Sequence, residues 1–240
     1  VLVKTRAILL KTVKYSENSV IAKFYTEEFG LESFIINNIR SKKAPINAAH
    51  LQPLNLLEAD IYQRNNANLQ RIKELRCNPL LQNIYTDMLK TSVIVFMQEV
   101  LGKVIVEKEK NPSLFEFLFN SVNSVEQAQS LSGLYPSFWL TKLTKYLGYP
   151  PAYDTWQPNA VFLPQEGLFS LQTNSPLYFD EATAKLIYQL YTSNFNQLKE
   201  ISCTAMQRKE LLEKLLVYYK LHSEDFKDLK SHKILAEVLA

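Results

Sequence analysis

The chain has 240 residues, 47% hydrophobic and 21% charged, a globular balance with apolar material for one large domain or two ordinary ones. No run approaches the roughly 20 apolar residues of a membrane-spanning helix, and two cysteines, Cys77 and Cys203, cannot build a disulfide framework, which suits a reducing cytoplasm. The net charge of +3 is unevenly spread: residues 1–76 hold 12 Lys and Arg against 7 Asp and Glu, whereas the remainder holds 15 against 17, so polyanion contact is expected of the first third. The opening VLVKTRAILLKT lacks a small-residue cleavage site and is not expected to act as a signal peptide; without an initial methionine, a few residues are expected before Val1.

Short β-type runs fill the first 76 residues. VKTRAILLKTV (Val3–Val13) is the first. SVIAKFYT (Ser19–Thr26) alternates Val20, Ala22 and Phe24 on one face with Ile21, Lys23 and Tyr25 on the other. EEFG turns the chain, with Gly30 where a positive φ is easiest. LESFII (Leu31–Ile36) follows, then a long basic loop, then LNLLEADIY (Leu54–Tyr62) and NLQRIKELR (Asn68–Arg76). Five short strands with one long connection between the third and fourth suit an OB-type Greek-key barrel, with an SH3-like barrel as the competing reading.

After Pro79 the period becomes helical. Leu80–Ile105 reads as one long helix, apolar on more than one face and so central to a bundle. Asn111-Pro112-Ser113 predicts an N-cap and first turn. Pro136 opens SFWLTKLTKYLG, which Gly148 ends. Residues 149–178 are proline-rich and aromatic, with one hairpin around Pro164–Gly167. Asp180 caps a helix through Leu190, and a last long helix spans Thr204–His222. The expected architecture is α+β: a barrel domain over residues 1–78 and a helical domain over 79–240 that carries the irregular insert 149–178.

Several chemistries are not encoded. The glycines (Gly30, Gly102, Gly133, Gly148, Gly167) lie too far apart for a phosphate-binding loop or a dinucleotide fingerprint. The histidines and cysteines lack metal-ligand spacing. No catalytic residue, metal or cofactor is expected, and the reading is of a non-enzyme.

Three blocks resemble the bacterial recombination mediator family RecO. They are KTRAILLKTVKYSENSVIAKFYTEEFG, the basic loop leading into LQPLNLLEADIY, and RKELLEKLLVYYKLHSEDFKDLKSHKIL (Arg208–Leu235). They stand near both ends, so the resemblance covers nearly the whole chain. It implies an OB barrel on a helical domain and binding of single- and double-stranded DNA. It further implies annealing of complementary strands and, with RecR, loading of RecA onto DNA coated with single-strand binding protein. A bacterial, nucleoid-associated protein of the cytoplasm, off the membrane, is implied too. Many members carry a four-cysteine zinc module where this chain has YPPAYDTWQPNAVFLPQEGLFSL, which has no cysteine, so zinc is not expected.

These readings name the candidate site. Arg40, Lys42 and Lys43 in the basic loop are expected on phosphates, which carry no sequence information. Lys4, Arg6, Lys11, Arg64 and Arg71 are the further cations of the barrel. Tyr15, Tyr25, Phe34 and Tyr62 are either stacking faces for bases or core. On the Pro136–Gly148 helix, Phe138, Lys142, Lys145 and Tyr149 form a stripe that suits an acidic peptide with an aromatic end, such as the tail of single-strand binding protein; the alternative is an ordinary solvated face. The resemblance implies an arginine near the start of this helix, as many family members have, where Pro136-Ser137 stands here. An RNA-binding OB protein or a protein-binding scaffold are the other function classes, since the 2′-hydroxyl preference is not written in the sequence.

Overall fold

The computed structural model describes residues 1–39, 45–63, 68–106, 108–173, 175–226 and 229–238. Arg40, Lys42, Lys43 and Arg64 lie outside the described residues. The chain forms two compact units, Val1–Gln129 and Ser130–Ala240.

The first unit opens with β1 (Leu2–Lys14), β2 (Ser19–Thr26), β3 (Gly30–Asn37), β4 (Leu56–Tyr62) and β5 (Gln70–Cys77). They close as a barrel in the order β1-β2-β3-β5-β4, with β4 returning to β1 and only β3 and β5 parallel. This is the OB order, and it removes the SH3-like alternative. Alternation drives it: Ala7, Leu9, Val20, Ala22, Phe24, Phe34, Ile36, Leu57, Ala59, Ile61 and Leu75 point inward as one cluster. Phe24 and Phe34 meet edge to face with centroids 5.5 Å apart.

The same unit contains α1 (Asn83–Thr86), α2 (Met88–Val104) and α3 (Pro112–Gln127). The stretch read as one helix from Leu80 is therefore two. Asp87 divides it, because its side chain accepts from the Lys90 N–H and caps α2. Asn111 caps α3 in the same way, with Pro112 in the first turn. Gly30 has φ +66°, and a Cβ there would lie 2.7 Å from the Lys108 carbonyl oxygen. Glycine thus allows the β2–β3 turn and its close approach to the segment before α3.

The second unit holds α4 (Tyr135–Leu147), a hairpin of β6 (Val161–Leu163) and β7 (Leu168–Ser170), α5 (Glu181–Thr192), α6 (Ala205–His222) and α7 (Ser231–Val238). Gly148 ends α4 at φ +87°. Asp180 caps α5, and Thr204 caps α6 in a capping box with Gln207. Two ring pairs fasten the irregular insert to α5: Trp156 lies flat on Tyr188 at 4.1 Å and Tyr153 on Tyr191 at 4.5 Å. Among the described residues, no group of three or more His, Cys, Asp or Glu is placed to hold a metal. No helix among them is long and apolar enough to cross a membrane.

Candidate nucleic-acid interface

Strand register sorts the barrel's outer surface. Residues directly opposite each other share a face. On the outer face of β1, β2 and β3, Ile8 is opposite Tyr25 and Tyr25 is opposite Leu31. This end is covered: Tyr25 is 2% exposed and stacks on Phe115 of α3 at 6.3 Å. Two residues along β2 and β3, and three along β1 because of a bulge between Leu9 and Lys11, Lys11 is opposite Lys23, and Lys23 is opposite Ser33. Two further along, Val13 is opposite Ile21, Ile21 opposite Ile35, Ile35 opposite Arg71, and Arg71 opposite Tyr62. The last row crosses all five strands.

These two rows are open to solvent. Lys11, Lys23 and Arg71 are exposed, and Ile21 and Ile35 are half-buried. Val13 is 45% exposed, Tyr62 43% and Tyr15, at the end of β1, 61%. Like charges directly opposite destabilise a sheet, and among the described residues neither Lys11 nor Lys23 has an ion-pair partner. β3 ends at Asn37, where the basic segment begins, and β4 ends at Tyr62, two residues before Arg64.

The other predicted cations of the barrel are differently placed. Arg6 is committed to structure. Its Nε donates to Glu27 Oε2 at 2.8 Å and Nη2 to Glu27 Oε1 at 2.7 Å, and it also pairs with Glu116. Its guanidinium stands over the Phe115 and Phe119 rings at 5.1 and 4.9 Å. The hydrogen bond from Arg6 holds the Glu27 carboxyl below its usual range, against the opposing effect of burial. Lys4 is exposed but opposite Asp60, and it lines a cleft of about 330 Å³ with Glu58, Asp60, Glu74 and Arg76. That wall is a mixed-charge surface.

Tyr25 is corrected as a site residue, and for Phe34 the core alternative holds. Tyr25 and Phe34 are core, at 2% and 1% exposure, and present no ring face to a base. Tyr15 and Tyr62 remain available. Lys23, which stands opposite Lys11, is not among the predicted cations, although the alternation of SVIAKFYT sets it beside Ile21 on one face.

In the second unit, the predicted stripe is only partly a surface. Lys145 is exposed. Lys142 is half-buried, donates to the Tyr191 carbonyl at the end of α5, and lies 5.3 Å from the Phe138 ring and 5.5 Å from the Tyr191 ring. Burial, then the charge of Lys145, pushes its pKa down. Phe138 is half-buried against Tyr135. Tyr149 turns inward, and this corrects its assignment. Its ring packs on His222 at 5.3 Å and on Tyr219 at 5.7 Å, and its carbonyl accepts from the Tyr218 hydroxyl at 2.7 Å. Pro136 and Ser137 are buried.

Residues 1–78 match the family model for the N-terminal part of recombination protein O, and residues 85–232 match that for its C-terminal part. Among curated relatives, a DNA repair protein RecO from Flavobacterium psychrophilum is 32% identical over 240 residues, covering 99% of each chain. One from Bacteroides fragilis is 30% identical, covering 98% of each, and one from Azobacteroides pseudotrichonymphae is 26% identical, covering 99% of each. A DNA-repair family matched along nearly all of the sequence, an OB barrel, and a row of exposed lysines on its open face agree: the chain belongs to the RecO family of non-enzymatic DNA repair and recombination mediators.

Proposed function

We propose that the open face of β1, β2 and β3 binds the phosphates of single- and double-stranded DNA, and that Arg40, Lys42, Lys43 and Arg64 in the adjoining segments extend it. The observation that carries this reading is the Lys11–Lys23 row, two like charges in register with no carboxylate partner among the described residues. A phosphate relieves their repulsion, and the counterions it releases favour binding. Holding two strands at such a surface screens their mutual repulsion, which supports annealing. In the cell this activity serves RecA loading on DNA coated with single-strand binding protein, together with RecR, in the bacterial cytoplasm at the nucleoid. The acidic tail of single-strand binding protein docks at exposed Lys145, beside the cage of Phe138, Lys142 and Tyr191.

Changing Lys11, Lys23 and Arg71 together to Gln tests the face. DNA affinity should fall similarly for unrelated sequences, and the salt slope should shrink by about 0.7 to 0.9 for each phosphate that is no longer neutralised. A folded variant with unchanged affinity and slope refutes the assignment. Matched RNA competing better than DNA would turn the reading towards an RNA-binding protein.

A further inference from the structure

The open face is not uniformly cationic. Its two rows differ in chemistry and are separated by two residues, roughly 7 Å along the strands. The lysine row is charged. The next row begins with three aliphatic side chains in unbroken register, Val13, Ile21 and Ile35, and ends with Arg71 and Tyr62. Exposed apolar side chains scattered singly need no explanation, but these three adjoin across neighbouring strands, with cations on two sides and exposed Tyr15 at the end of β1. A nucleotide has the same division, with its charge on one side and a flat apolar base on the other.

We infer that the row Val13–Ile21–Ile35 is a platform for unpaired bases, so that this face distinguishes single-stranded from duplex DNA. The inference rests on the reading of the face as a DNA interface. Phosphates of either form reach Lys11 and Lys23. Only a single strand can turn its bases onto the aliphatic row, because a duplex keeps its base faces stacked inside the helix. Packing of bases on such a surface is tolerant of sequence, because aliphatic side chains have no hydrogen-bonding group with which to read a base edge. The consequence for annealing is direct. Two strands held by bases and phosphates withdraw their bases from the platform once they pair, and the duplex is left on the lysine row alone. The product is therefore held less firmly than the two substrates together.

The experiment compares oligo-dT with a duplex of matched length at one salt concentration. Changing Val13, Ile21 and Ile35 to Thr keeps β-branched shape and removes apolar surface. Affinity for the single strand should fall by about tenfold, the scale of roughly two buried methylene groups taken out of contact with the bases, with duplex affinity and the salt slope unchanged. An equal fall on both ligands, or none on either, overturns the inference. Val13→Asn, at a position nearly half exposed, is the second variant if the triple substitution does not fold. Its affinity should fall about two- to threefold on the single strand alone, and no selective fall overturns the inference equally. Lys11→Gln with Lys23→Gln separates the two claims. It should weaken both ligands together. If it weakens neither, the DNA face itself is misassigned; if it acts as expected while the Thr variant shows no selectivity, only the base platform fails.

Discussion

Replacing Glu126 with Gln tests how the first unit is held together. Glu126 is 4% exposed in the last turn of α3, where the helix dipole disfavours a negative charge. It is retained there because its carboxylate caps α1. Oε1 accepts the N–H groups of Gln82 and Asn83, and Oε2 accepts that of Ile84, each at 3.0 Å. The N-cap residue of α1, Gln82, makes no side-chain cap of its own. Lys90, also 4% exposed, donates to the Glu126 carbonyl at 3.0 Å. A glutamine keeps one acceptor oxygen, turns an amide N–H₂ towards backbone donors, and leaves the Lys90 charge with less compensation. Charge-assisted hydrogen bonds contribute about 1.5–3 kcal/mol, and breaking a buried ionic arrangement costs somewhat more. The expected loss of stability is therefore about 3 kcal/mol, a large part of an ordinary folding free energy.

Urea unfolding followed by circular dichroism measures that loss, and pH supplies the check. Burial alone would raise the Glu126 pKa; the three backbone N–H groups and the Lys90 charge outweigh it and bring it below the usual carboxylate value. The folded state thus takes up this proton less readily than the unfolded chain. The contribution is fully present above the unfolded pKa of about 4.3 and is lost as pH falls through the lower folded value. The gap between wild type and variant should be widest near neutrality and close in that acid range. A gap under about 0.5 kcal/mol at neutral pH, the size of an ordinary surface change, would refute the capping argument, as would a gap that stays constant through the acid range.

Two further outcomes are expected. Arg40, Lys42 and Lys43 changed together to Ala should lower DNA affinity without regard to sequence and cut the salt slope by up to about three units, with stability changed by only about 0.5 kcal/mol; filter binding over a salt series and thermal unfolding read both. Lys145→Glu should weaken binding of an acidic, aromatic-ended peptide in fluorescence anisotropy and leave affinity for naked DNA unchanged, whereas Lys142→Met should also lower the melting temperature, because Lys142 caps the end of α5.

The parts of the fold that are legible in the sequence are those fixed by neighbours. Caps at Asn111 and Asp180, the start of the last long helix at Thr204 and the glycine stop at Gly148 rest on residues within a turn of the element they bound. The alternation of SVIAKFYT likewise finds β2 residue for residue. The division at Asp87 is written there too, as a capping residue, but the apolar run on both sides of it reads as continuous. What escapes is set by distant parts of the chain. Tyr25 shares a strand face with Lys23 and Ile21, and nothing local says that α3 covers one end of that face and leaves the other open. Arg6 is followed 110 residues later by the Glu116 that it pairs with.

Charge shows the same limit and explains why the site narrows. The excess of cations in residues 1–76 points to the part of the chain that carries the proposed interface, yet it gives every cation there equal standing. Register separates them. Along β1, Lys4 and Arg6 are opposite Asp60 and Glu58 of β4, and Arg6 has Glu27 besides, so their fields are largely cancelled within the barrel. Beyond the bulge between Leu9 and Lys11, the neighbour is β2 and the residue opposite is Lys23, so the two fields add. A polyanion responds to the field that remains after local compensation, because displacing an existing carboxylate partner costs about what the new pairing gains. One strand thus carries both kinds of cation, and the bulge marks where it passes from a self-neutralised wall to a surface whose positive field has no ion-pair partner among the described residues.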